Sequence, residues 1–363
     1  MFKVYNYSIT DFAKLQEKKK LSVQVAKKLY GVGLLRVSNN ILNCANYSIK
    51  QVCPDCGEVH QVNLMYCRER LCPLCQYKRS LKIKKMTMDV ANRVEEVNPG
   101  LNYLLLTLTV RNCFGDELSK TIDKLLNAWK FLTDKRKRFK KIALGYIRTL
   151  EVTYNVARHD YHPHLHIILA VPEDYFENPN LYLSHNEIAE HWRTAIDINY
   201  KPIIDVRAIT PAGQKILIDE TAELTDDIII QKLTKRELEY NHAISEVCKY
   251  AVKFNYDAAP GVALKTLYEA LYGRRLIGYG GVFRSAKHEL LLPNEEEVTP
   301  DDDLNILQEQ LCKSCAGNSL KYELLRFDVG ASVYTPTGTI SAPEGIIKEY
   351  CKITGEFNHD GDF

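Results

Sequence analysis

The 363-residue sequence lacks any apolar run of about 18 residues or more, which excludes a conventional transmembrane helix. Its first twenty residues have no apolar core of the kind a secretory leader needs and end in Glu17-Lys18-Lys19-Lys20, so a cytoplasmic location is expected. In that compartment the eleven cysteines are not expected to serve as disulfide staples. Internal repeats are absent and low-complexity sequence is scarce, which sets repeat architectures aside. Net charge is also small, at +2. What remains is 45% hydrophobic and 26% charged, the profile of an ordinary globular protein with room for two or three domains.

The small net charge hides an uneven distribution. Residues 66–141 hold 18 Lys and Arg against 8 Asp and Glu, whereas residues 286–363 hold 6 against 15. A basic stretch of this size can attract a polyanion, although charge runs more often form solvated helix faces.

Local patterns predict helix over Gln76–Val97, stopped by Asn98-Pro99-Gly100, and again over the basic segment Asp116–Lys141. Strands are expected at Tyr103–Val110, Ile142–Tyr154, His164–Val171 and Ile203–Ile209, with a glycine-rich strand at Leu276–Phe283. The short link between the second and third strands suits a hairpin and is too short for a parallel crossover. Ser184 followed by Glu187 is a capping box opening a helix to Ile198, and a further helix is predicted over Leu233–Phe254. The fold class expected is α+β: a central antiparallel sheet with packed helices, plus a small N-terminal zinc module. The expected domains are residues 1–50, with no role read; 51–97, cysteine-rich with a basic helix; 101–285, the main domain with an excursion near 211–234; and 286–363, an acidic linker and C-terminal region.

Two sets of residues have metal-binding patterns. In Tyr161-His162-Pro163-His164-Leu165-His166, three histidines alternate along a strand and share one face. Two imidazoles two residues apart can chelate one ion. With the hairpin centred near Arg158 and His159, Glu151 falls opposite His166 and becomes the third ligand, with His162 as its competitor. A His/Glu set with open positions suits Mn²⁺ or Mg²⁺. Cys53-Pro54-Asp55-Cys56 and Cys72-Pro73-Leu74-Cys75 form two C-x2-C pairs spaced for a structural Zn²⁺ site, with Cys67 or Cys44 as replacement ligands. Arg68, Arg70, Lys78 and Arg79 flank these pairs, and Arg70 and Arg79 are expected to contact phosphate. Cys312-Lys313-Ser314-Cys315 is a single pair without a matching one.

A third segment, Glu246-Val247-Cys248-Lys249-Tyr250-Ala251-Val252-Lys253, places Glu246 and Tyr250 four apart on one helix face with Lys253 close by. A tyrosine beside a lysine and a metal can attack a phosphodiester, and a neighbouring carboxylate can act as general base. Read alone, the same segment is equally an amphipathic helix packing a tyrosine, in a chain that has 22 of them.

Taken together and in order, Leu106-Thr107-Leu108-Thr109, the His162–His166 segment preceded by Arg148–Thr153, the Lys249-Tyr250-x-x-Lys253 pattern and the upstream cysteine knuckles resemble the rolling-circle replication initiators of small bacterial plasmids, within the HUH endonuclease superfamily. The resemblance covers roughly residues 50–285. It implies a divalent cation on His164 and His166, and Tyr250 as nucleophile at a plasmid double-strand origin. It further implies a 5′-phosphotyrosine intermediate with a free 3′-hydroxyl, and Glu246 as the base that activates water in a terminating cleavage. Lys249 and Lys253 are assigned to phosphate contact. The implied partners are origin DNA, host helicase and host polymerase, with a homodimer left open and no membrane. Competing readings are a related transposase or mobilisation relaxase, a non-catalytic zinc-stabilised DNA-binding regulator, and a metal-dependent hydrolase of a small substrate. Residues 211–234 and those after about 290 match nothing in the family pattern.

Overall fold

A computed structural model describes residues 12–57, 59–64, 66–209, 235–248, 256–292 and 320–340. The chain divides into two compact units, one of residues 82–255 and 266–295 with the first five residues, the other of residues 6–81, 256–265 and 296–363.

The larger unit is built on a five-stranded antiparallel sheet. Its strands are β3 (Asn102–Thr109), β4 (Gly145–Asn155), β5 (Asp160–Val171), β6 (Ile204–Ala208) and β7 (Ile277–Gly280), in the order β6-β3-β5-β4-β7. β5 is central and pairs with both β3 and β4 over most of its length. Period-2 alternation divides its side chains. Leu165, Ile167 and Leu169 take one face with Leu104, Leu106, Leu108, Leu150 and Val152, all buried. Helix α4 (Gly115–Lys135) packs on β5 and places Trp129 edge-on to Tyr146, with centroids 5.1 Å apart.

On the opposite face, Ile168 and Ala170 join Tyr103, Leu105 and Ile147 in a core closed by α7 (Lys235–Cys248) through Tyr240, Ala243, Ile244 and Val247. Phe283 of α9 (Gly281–Glu289) completes it. The predicted basic helix is two helices, α4 and α5 (Lys137–Ile142), because Arg136 between them takes extended backbone angles (φ −79°, ψ 102°). The glycine-rich stretch predicted as one strand is β7 followed directly by α9. The switch falls at Gly281, whose φ is +53° and whose absent Cβ would sit 2.0 Å from the Leu144 carbonyl oxygen.

The second unit holds α1 (Phe12–Gly31), α2 (Leu35–Asn43) and a four-stranded antiparallel sheet of β1 (Tyr47–Val52), β2 (Val59–Leu64), β8 (Lys321–Asp328) and β9 (Val333–Ile340), in the order β2-β1-β8-β9. Segments from near both ends of the chain therefore form one sheet. Val23 of α1 packs against Leu325, Phe327 and Tyr334. Helix α3 (Pro73–Val97) opens with proline at its first position, where a missing N–H costs nothing. Among the described residues, no helix is long and apolar enough to cross a membrane. The 211–234 excursion and the C-x2-C pair Cys312/Cys315 lie outside the described residues.

Two changes test these supports. Gly281→Ala forces a left-handed backbone on a residue with a Cβ and a clash with backbone, so it is expected to cost at least about 2 kcal/mol, read as a lower melting temperature. The capping box on α6 (His185–Ala195) forms as predicted, with Glu187 accepting from Ser184 backbone and side chain. Those bonds and Arg138 hold the Glu187 carboxyl down at about 2. Its contribution is complete above the ordinary carboxylate value and is lost as pH falls toward 2, so Ser184→Ala should lower the melting temperature at neutral pH. The difference from wild type should shrink in acid melts.

Candidate metal centres

Three donor side chains converge on the α7-facing side of the five-stranded sheet. Proceeding along β5 from the apolar Ala170 and Ile168, the same face continues as His166, His164 and His162. Thr107 of β3 and Thr149 of β4 flank His166, while Thr109 and Glu151 flank His164. Glu151 is therefore opposite His164, one pair along from the expected His166. The reason is that the hairpin turns over Val156–His159, with Asn155 opposite Asp160, so its centre is one residue earlier than assumed. His159 accommodates the turn at φ +56°.

The diagonal contact nevertheless brings Glu151 to both imidazoles. Its Oε2 lies 3.1 Å from His166 Nε2 and 3.8 Å from His164 Nε2, and the two Nε2 atoms are 3.1 Å apart. Donor atoms bound at about 2.1 Å to one ion, at right angles, stand about 3 Å apart, so the group fits a cation. The Glu151 side chain is 2% exposed. An ionised carboxylate so deeply buried costs several kcal/mol unless positive charge compensates it, and a divalent cation held by this group would supply that charge. Burial pushes the His164 pKa down to about 4, leaving the ring neutral with a lone pair available. Thr107 Oγ1 meets His166 Nδ1 at 3.1 Å, which orients Nε2 inward. The His162 ring lies tilted at 45° to the His164 ring, with centroids 5.1 Å apart, and its carbonyl faces His164 Nδ1, outside the converging set.

Helix α7 is tied to this site by one strong bond. Thr149 Oγ1 donates to the Val247 carbonyl at 2.6 Å, next to Glu246. Glu246 Oε1 lies 3.7 Å from His242 Nε2. Lys249, Tyr250 and Lys253 lie outside the described residues.

The second centre is in the other unit, and its membership differs from the expected set. The thiols that converge are those of Cys44, Cys67, Cys72 and Cys75; Cys53 and Cys56 are not among them. The hairpin explains the exchange. Cys44 precedes β1 and Cys67 follows β2, so both lie at its open end, where Tyr47 pairs with Leu64. Cys53 and Cys56 stand at its turn, a strand length of roughly 20 Å away. Cys75 Sγ is 3.6 Å from Cys44 Sγ and 3.7 Å from Cys67 Sγ. Tetrahedral zinc with bonds of about 2.3 Å holds its sulfurs about 3.8 Å apart, so the group fits zinc.

The residues following Cys44 and Cys67, Ala45 and Arg68, both adopt left-handed angles (φ 50° and 59°) that non-glycine residues seldom take. Burial opposes ionisation of Cys72, yet its hydrogen bonds with Cys44, Cys67 and Cys75 bring its pKa well below the ordinary thiol value.

Buried Lys19 of α1 braces this centre, donating to the carbonyls of Leu42 (2.9 Å) and Cys44 (2.5 Å) and to Asn46 Oδ1 (2.7 Å). Its charge also offsets the −2 of a zinc tetrathiolate. The cysteine spacing could not reveal Lys19, which reads as part of a basic run. Arg79, expected on phosphate, donates to the carbonyls of Arg68 and Glu69 and so fastens the Cys67 loop. Half-buried Arg70 stands in the same loop, its carbonyl taken by Gln76 Nε2.

Residues 58–323 match the model of a family described as replication protein. A protein rep of Bacillus amyloliquefaciens is 32% identical over 78% of this chain and 82% of its own length. One from a Bacillus species is 32% identical over 72% and 82%. One from Streptococcus pneumoniae serotype 2 is 30% identical over 68% and 71%. No solved structure matches. The chain belongs to the replication-protein family and is a plasmid replication initiator. Membership implies binding to origin DNA.

Cys67→Ser removes a ligand from the four-sulfur group. It is expected to lower bound zinc by one ion per chain, measured by elemental analysis after dialysis, and to reduce the melting temperature.

Proposed function

We propose that the protein cuts and rejoins one DNA strand at a plasmid origin, starting and ending rolling-circle replication. The observation that carries this reading is the convergence of Glu151, His164 and His166 on the sheet face to which Thr149 ties α7, the helix leading into Tyr250. These three side chains would hold Mn²⁺ or Mg²⁺, which supplies Lewis acidity at a phosphate oxygen.

The Tyr250 oxygen attacks the scissile phosphorus. A tyrosyl–phosphorus bond forms, the bond to the 3′-oxygen breaks, the phenolic proton passes to solvent, and the 3′-oxygen takes a proton. The product is a 5′-phosphotyrosyl protein and a 3′-hydroxyl suited to priming a host polymerase. Glu246 removes a proton from water in the terminating cleavage. Lys249 and Lys253 bind phosphate, and Zn²⁺ on the cysteine cluster has a structural role because four thiolates close its coordination sphere. Family membership favours replication over mobilisation or transposition. The basic stretch of residues 66–141 favours a polyanion over a small substrate.

The test is incubation with supercoiled origin DNA and Mn²⁺, followed by detection of a covalent protein–DNA adduct. Tyr250→Phe should abolish the adduct, and His164→Ala or His166→Ala should lower cleavage by more than about 100-fold. Glu246→Ala should still nick while releasing little product. Origin binding with no metal-dependent cleavage would instead identify a non-catalytic regulator.

A further inference from the structure

The metal-bearing end of the five-stranded sheet carries an arginine that the cleavage chemistry leaves unused. Thr109, the last residue of β3, is opposite His164. Beyond it the chain reaches an isolated bridge in which Cys113 and Tyr161 exchange both backbone hydrogen bonds, at 2.9 and 2.8 Å. Val110, Arg111 and Asn112 therefore stand against only His162 and Pro163, a β-bulge with one extra residue. Its place has a local cause. The Tyr161 amide points toward Cys113, and two residues on Pro163 has no amide hydrogen to give in that direction. Arg111, in the middle of the bulge, is exposed.

The loop between α6 and β6 is fastened here at two points. The Arg111 amide donates to the Tyr200 hydroxyl at 2.9 Å, and the Arg111 guanidinium carbon lies 4.0 Å from the centre of the Tyr200 ring. Thr109 Oγ1, beside His164, donates to the Ile203 carbonyl at 2.5 Å. A guanidinium laid on a ring still has its in-plane N–H donors to offer. Among the described residues, no carboxylate pairs with Arg111. Asp160, beside the bulge on β5, is engaged by Asn112 at 2.8 Å and by Arg158 at 2.9 Å. Lys201 adds a second exposed cation, its ammonium donating to Asn186 Oδ1 at 3.3 Å. Ile203, two residues on, is 83% exposed.

A cation beside an exposed aliphatic side chain matches what one nucleotide presents, a phosphate and the face of a base. A duplex hides its base faces in the stack, whereas a single strand offers both. Arg111 is two residues beyond Thr109, so its backbone is roughly 10 Å from that of His164. A strand whose scissile phosphate rests on the Glu151–His164–His166 group continues past it. That distance is a few nucleotides at about 3.4 Å each.

We propose that Arg111, Tyr200 and Ile203 form a subsite for single-stranded DNA next to the scissile phosphate. Arg111, held by Tyr200, binds a backbone phosphate, and Ile203 packs on a base. The strand-cleavage reading supplies the place of the scissile phosphate, and the subsite rests on it to that extent. Arg111 and Tyr200 are positioning residues, and no bond is made or broken there.

The test measures binding in EDTA, so that cleavage plays no part. A fluorescein-labelled single strand spanning the origin nick site is titrated with the full-length protein at several salt concentrations and followed by anisotropy. Arg111→Ala should weaken binding about 10-fold. It should also lower the salt slope by about 0.7, the share of one phosphate on a single strand. Arg111→Lys should keep the slope and lose about 3-fold in affinity, because an ammonium does not stack on Tyr200 as a planar guanidinium does. Arg207→Ala, which removes an exposed arginine of β6 paired with Asp205 at 2.7 Å, should change neither quantity. Unchanged affinity and slope in Arg111→Ala would overturn the subsite, and so would an equal loss in Arg207→Ala.

Photocrosslinking gives a second readout on the wild-type chain. With 4-thiothymidine placed at successive positions of the strand, the peptide holding Tyr200 and Ile203 should crosslink only close to the nick site. Absence of that crosslink counts against the subsite. Adduct formation with Mn²⁺ is scored separately. Normal adduct with unaltered binding in Arg111→Ala removes the subsite and keeps the cleavage reading. No adduct from wild type, together with the binding losses, removes the cleavage reading and keeps a single-strand site at this end of the sheet.

Discussion

The double antiparallel pairing of β5, with β3 on one side and β4 on the other, is the constraint on which the metal-site geometry depends. Because side chains alternate, a slip of one residue would carry His164 and His166 into the face occupied by Leu104, Leu106 and Leu150, and would turn Leu165 and Ile167 toward the site. Core packing on both faces therefore holds the ligands in register. Glu151 comes along with that register: it is buried because its neighbours on β5 are, and its carboxylate has been taken out of water at a cost that a bound cation would offset. Thr149 uses the same face to hold the backbone of α7. One face thus grades from apolar core to polar site within a single strand.

The smaller unit uses strand length in a different way. A hairpin of six-residue strands separates cysteines that are close in sequence and brings together cysteines that are not. Lys19 adds three hydrogen bonds at the open end, where Tyr334 also reaches the Ala45 carbonyl at 2.6 Å.

Much of the central sheet was legible because alternation and capping are local properties. The strands expected at 103–110, 142–154 and 164–171, found at 102–109, 145–155 and 160–171, the Ser184 capping box and the sharing of one face by His164 and His166 follow from residue order. The hairpin centre was misjudged by one position because turn geometry depends on which residue accepts a left-handed backbone, and His159 gives no composition signal for it. The cysteine assignment went wrong for a similar reason. C-x2-C spacing reports a local knuckle, whereas the partners of Cys72 and Cys75 are chosen by the hairpin between Cys44 and Cys67. The sheet of β1, β2, β8 and β9 left no trace in the sequence, since its pairings join distant segments.

That last feature bears on how the protein is made. The buried Gln51–Tyr322 bond spans 271 residues. At a ribosomal pace of roughly 5–20 residues per second, β1 waits for tens of seconds with an unsatisfied edge before β8 emerges. The unit nearest the start of the chain is thus among the last to be completed. A polypeptide terminated before β8 would carry the whole β3–β5–β4 site yet keep an open, aggregation-prone strand edge along β1.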